Sequence, residues 1–160
     1  MKVPSYRKRL MLLDDILSDG IKLFRMLHES EELLREQLIK GDYQALVDAE
    51  EKRSLIQNQV NALEERRKAL VPEGTGLQKY IRTAIGKSSQ TELLSKLAEI
   101  IEELKSIKVI HEVNRSLLQE RIRFTRELQE RLLADKMTYD ERGQLKNENR
   151  NSIKNLDTNC

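Results

Sequence analysis

The chain has two histidines, His28 and His111, and one cysteine, Cys160. These residue types most often hold a metal or carry a proton near neutral pH. A di-iron helical bundle places Glu three residues before His on facing helices. Here Arg25 stands at that spacing before His28, and Lys108 before His111. There is no His-Glu-x-x-His and no cysteine pair, so the zinc patterns are missing as well. His28 reads as a helix-surface residue. His111 lies three residues before Asn114, a spacing that suits a small polar layer better than a pair of ligands. Glu29, Glu31, Glu32, Glu36 and the Glu50-Glu51 pair read as the wet faces of helices. Gly74-Thr75-Gly76 follows no strand and lacks the Lys-Ser/Thr of a phosphate loop. The residues therefore predict a protein that is not an enzyme and uses no cofactor or metal.

Charge narrows the classes further. The 160 residues include 29 basic and 27 acidic side chains, a net +2 that gives no electrostatic case for nucleic acid or an anionic membrane. Arg115, Arg121, Arg123, Arg126 and Arg131 do cluster, but Glu112, Glu120, Glu127 and Glu130 interleave with them. Pairs such as Glu127–Arg131 neutralise that face, and Phe124 is the single aromatic platform nearby. No apolar run reaches the roughly 18 residues of a membrane span. The start, MKVPSYRKRLMLLDDIL, is broken by Asp14 and Asp15 too soon for a signal peptide. One thiol makes no internal disulfide, which suits a reducing compartment. The expected location is the cytoplasm.

The elements that position these residues follow from periodicity. The composition is 35% charged and 4% aromatic, with no Trp and two Pro, which favours long solvated helices over a sheet-rich core. Leu10, Leu13, Leu17, Gly20, Phe24, Leu27, Glu31, Leu34 and Leu38 step by three and four, a coiled-coil-like seam on a helix over about 5–40. Gly20 reads as a close approach of a partner helix. Glu31 is expected at the rim of the seam, because a lone buried carboxylate is costly. Gly41-Asp42 offers a C′ glycine and then an N-cap, so the next helix, about 42–70, turns back antiparallel, unless the chain continues as one kinked helix. Leu46, Ala49, Ile56, Val60, Leu63 and Leu70 carry its stripe, with Arg53 and Arg67 at intervening seam slots where long stems lie along apolar surface. VPEGTG, from Val71 to Gly76, is the clearest break, followed by a short helix over 77–87. Ser89-Gln90-Thr91-Glu92 has capping-box form and is expected to open the longest helix, about 90–136, roughly 70 Å at ~1.5 Å per residue. Helices this long need apolar partners. The predicted fold is all-α: an antiparallel bundle of three long helices with one short extra helix over 1–137, then a C-terminal turn and flexible tail over 138–160.

One region carries more apolar surface than such a bundle needs. Asn114 interrupts the apolar stripe, a device that can fix register at a cost in stability. After it come Leu117, Leu118, Ile122, Phe124, Leu128, Leu132, Leu133 and Met137, which cover more than one face. Two readings account for the surplus. One is a deeper core or self-association, which would make the protein a non-catalytic coiled-coil scaffold. The other is a docking face for a foreign helix, with anchors at i, i+3, i+4 and i+7.

Four stretches then resemble one family, in order and over most of the chain. They are REQLIKGDYQAL (Arg35 to Leu46), EKRSLIQNQVNAL (Glu51 to Leu63), VNRSLLQERI (Val113 to Ile122) and TYDERGQ (Thr138 to Gln144). Together they resemble the FlgN family of flagellar type III export chaperones. The resemblance implies binding without catalysis. Such chaperones hold hook–filament junction proteins by their C-terminal, helix-forming segments, prevent their premature aggregation, and help deliver them to the membrane export gate. It implies client contacts from Asn114, Leu117, Leu118, Ile122, Phe124, Leu128, Leu132, Leu133 and Met137, and an export-gate contact at Tyr139. Asp140 follows Tyr139 where some members have Gly or Asn, so no contact is carried over at position 140. The tail after Gly143 has only Leu145, Ile153 and Leu156 to bury. It is expected to be disordered alone and to order on the client, at a cost of about 2–5 kcal/mol. The free chaperone is expected as a monomer or weak dimer, with no nucleic-acid partner and no membrane insertion.

Overall fold

The computed structural model describes residues 5–134, 138–139 and 145–146. The fold is all-α, with helices α1 (Tyr6–Lys40), α2 (Tyr43–Leu70), α3 (Leu77–Ala84) and α4 (Lys87–Ala134). Two residues separate α1 from α2. Gly41 takes φ 81, a left-handed conformation open to glycine, and its N–H bonds the Gln37 carbonyl at 2.9 Å. The Asp42 side chain accepts from the Ala45 N–H at 3.0 Å and caps α2. The chain therefore breaks here and does not continue as one kinked helix.

The capping box expected at Ser89 does not form the start of α4. The helix opens at Lys87, and the Ser89 N–H bonds the Gly86 carbonyl at 3.0 Å. Gln90 acts on the preceding helix: its amide donates to the carbonyls of Ile85 at 2.8 Å and Arg82 at 3.1 Å. Those carbonyls sit at the C-terminal end of α3, where helical acceptors lack intrahelical donors. Helix α3 stops at Ala84, three residues short of the expected end, and Gly86 N–H donates to the Tyr6 hydroxyl at 2.8 Å.

The chain divides into two compact units, Met1–Leu118 and Gln119–Cys160. In the first, side-chain ion pairs and hydrogen bonds mark the helix directions. Asp19 meets Arg66 and Glu31 meets Arg53, so α2 runs back along α1. Asp14 meets Lys96, His28 meets Glu103 and Glu31 meets Asn114, so α4 advances in the same direction as α1. The link through α3 returns the chain to the starting end. There Leu13, Leu17, Val71, Tyr80, Ile81, Ile85, Leu93 and Ile100 form one cluster, which packs α3 firmly on the long helices. Leu27, Ile56 and Ile107, one from each long helix, fill the middle. Leu34, Leu38 and Ala49 close the far end. Burying each such aliphatic side chain is worth about 1.5–3 kcal/mol, which outweighs the weak propensity differences along these charged helices. A Cβ on Gly20 would lie 3.0 Å from Ile100 Cδ1 and 3.5 Å from Leu63 Cδ2, the close approach that the sequence suggested.

In the second unit, α4 continues to Ala134. Thr138–Tyr139 (β1) and Leu145–Lys146 (β2) form a two-rung antiparallel ladder, Thr138 opposite Lys146 and Tyr139 opposite Leu145. The turn residues 140–144 and the tail 147–160, on which the disorder expectation falls, lie outside the described residues. Among the described residues no helix is long and apolar enough to cross a membrane.

Candidate functional site

Three polar residues that interrupt the three apolar stripes meet in one place. Glu31 of α1 is 2% exposed, which corrects its expected position at the rim and on a wet face. Its carboxylate accepts from Asn114 Nδ2 at 2.8 Å and from Arg53 Nη1 at 3.3 Å, and lies 3.3 Å from His111 Nδ1. Asn114 Nδ2 also donates to the Glu31 backbone carbonyl at 2.9 Å. The reason the rim expectation fails is that the carboxylate is not alone: α2 and α4 supply the donors that make its burial tolerable. Hydrogen bonding to Glu50, with Glu31 adding to it, holds the Arg53 guanidinium above its usual value despite partial burial. Among the described residues no cluster of His, Cys, Asp and Glu could hold a metal. The node's effect is to join three helices.

His28 also differs from its reading as a surface residue. It is half-buried, with Nδ1 2.9 Å from Glu103 Oε2, so both histidines bridge α1 to α4 through a carboxylate. Both residues were visible in the sequence, but their partners lie 75 and 80 positions away.

Beside the node opens a groove of about 460 Å³. Leu34, Leu38, Leu46, Val47 and Leu118 supply apolar wall, and Glu50, Glu51, His111 and Arg115 stand among its lining residues. Asn114 belongs to the same lining, and its Oδ1 is buried without a hydrogen-bond partner.

The residues expected to bind a partner fall into distinct environments. Asn114 is 3% exposed and engaged in the node, so it presents no contact surface. Leu117 is half-buried and packs on the cluster of Leu34, Leu38 and Ala49. Leu118, Ile122, Phe124, Leu128 and Leu132 are large apolar side chains between 44% and 66% exposed. Leu133 is placed only as a position in α4, and Tyr139 only as a position in β1 paired with Leu145. Met137 lies outside the described residues. On the same stretch Arg123 pairs with Glu127 at 3.8 Å, in line with the self-neutralising charge pattern.

Fold and site together define a helical-bundle protein whose longest helix carries several exposed large apolar side chains toward its C-terminal end. The model of the family described as "FlgN protein" matches residues 11–147. The chain belongs to the FlgN family, a family of flagellar export chaperones. Comparison with curated proteins found no match, and comparison with solved structures found none.

Proposed function

We propose that this chain binds the C-terminal helical segments of hook–filament junction proteins in the cytoplasm, keeps them from aggregating before export, and delivers them to the flagellar export gate. The observation that carries the reading is the row of Leu118, Ile122, Phe124, Leu128 and Leu132 on α4, each at least 44% exposed. Single exposed apolar residues need no explanation, but five along one stretch of helix, spread over about half its circumference, make a surface that a partner gains by covering. Leu133 and Met137 extend the row in sequence, Leu117 anchors its start, and Asn114 holds its base in register. Tyr139 is the proposed gate contact. Protection works by mass action: a bound client segment is withdrawn from aggregation in proportion to chaperone concentration over Kd. Family membership supports the general partner, a flagellar protein in export.

Phe124→Asp tests the reading, because Phe124 is 66% exposed and in no core cluster. The change should abolish binding to a junction protein's C-terminal segment while leaving helicity intact. Loss of self-association in place of client binding would instead identify a coiled-coil scaffold.

A further inference from the structure

The groove at the α1–α2 hairpin end shares only Leu118 with the exposed apolar residues of α4, and its composition indicates an occupant. Leu38, Leu46 and Val47 wall it from the hairpin, and Leu118 from α4. Charged residues among its lining show that it opens to solvent. Its volume of about 460 Å³ lies against mostly apolar wall and is filled by solvent when no partner is bound. Water in such a place is displaced favourably by an apolar side chain. The rim is charged asymmetrically. Glu50 is taken up by Arg53, whereas Glu51 of α2 and Arg115 of α4 form no ion pair among the described residues. One side of the groove is thus left negative and the other positive.

We infer that this groove is a second docking site for the exported client, taking a bulky apolar side chain of an amphipathic helix with a basic residue toward Glu51 and an acidic residue toward Arg115. The inference rests on the proposed function and deepens it. A lipid chain would leave both rim charges unanswered, and an anion would meet Glu51. A helix surface with an apolar anchor between opposite charges satisfies all three features. Leu118 joins the groove to the function already proposed, since it is both a wall residue here and the first member of the exposed row.

The test is Val47→Trp in the full chain. Val47 is half-buried at the groove, and Trp matches Val closely in helix propensity, so the variant fills the space without breaking α2. The chain has no other Trp, so blue-shifted emission verifies that the ring is seated. Titration calorimetry with a junction protein's C-terminal segment should then show affinity reduced by about tenfold or more, as for loss of a central anchor. Glu51→Lys and Arg115→Glu should each weaken binding a few-fold, with the difference shrinking at high salt. Wild-type affinity in the seated Val47→Trp chain, with binding still lost in Phe124→Asp, overturns the groove alone. A wild-type chain that binds no client overturns the proposed function and the groove together. A wild-type dimer that Val47→Trp converts to monomer also overturns the inference, because the occupant is then a second copy.

Discussion

Asn114 Nδ2 donates to both the side-chain carboxylate and the backbone carbonyl of Glu31, at 2.8 and 2.9 Å, across 83 residues of sequence. One amide nitrogen thus ties α4 to α1 at a buried point. The pairing accepts only one register, because a shift along α4 would bring an apolar or exposed residue against a buried charge. Replacing Asn114 with Leu leaves Glu31 two donor contacts short. The expected cost is about 1–3 kcal/mol in urea denaturation. The same change also alters the lining of the groove, so the stability cost is read from the free chain, without client.

Gly20 allows a second prediction. The nearest atom to an added Cβ is the end of the Ile100 side chain, at 3.0 Å, which can move by a few tenths of an ångström. Gly20→Ala also gains about 1 kcal/mol of helix propensity, so the net change in stability should be small. Gly20→Leu has no such escape between Ile100 and Leu63, and should destabilise by about 1–3 kcal/mol in thermal or chemical unfolding.

Stability should also depend on pH at both extremes, with opposite signs. The hydrogen bond from Lys96 to Asp14 raises the Lys96 pKa. Its contribution is complete at neutral pH and is lost as pH rises beyond the usual lysine range. Glu64 has its pKa lowered, chiefly by the hydrogen bond from Arg67. Its contribution is present at neutral pH and disappears as pH falls through its depressed pKa. Both pairs are partly exposed, so each effect should stay within about 1 kcal/mol. Melting curves across pH should show Asp14→Asn flattening the alkaline fall and Arg67→Met flattening the acid one.

What was legible in the sequence was local. Gly41-Asp42 announces its turn because a positive φ and an N-cap each depend on one residue and its immediate neighbours. The three-four rhythm located α1 and α2 for the same reason. The start of α4 was misread because Ser89 competes with a tertiary arrangement: Gly86 meets the Tyr6 hydroxyl, and Gln90 is drawn to the end of α3. Glu31 was misplaced because burial of a charge depends on partners 22 and 83 positions away. A signal did exist. Glu31, Arg53 and Asn114 each interrupt an otherwise apolar stripe, and three such defects on three packed helices can satisfy one another. The exposed row was legible as surplus apolar surface, since helical spacing counts more anchors after Leu117 than one stripe can use. The groove was not, because its walls come from three separate stretches, on α1, α2 and α4, that only the packing of α4 against the hairpin brings together.

The central claim is that the bare row on α4 serves a flagellar export client. Its most direct test is size-exclusion light scattering of the full chain, alone and mixed with the C-terminal segment of a hook–filament junction protein. The account predicts a new complex of defined stoichiometry, absent with the Phe124→Asp chain. No complex, with the chain alone already a stable dimer or larger, would contradict the account and make the row a self-association surface.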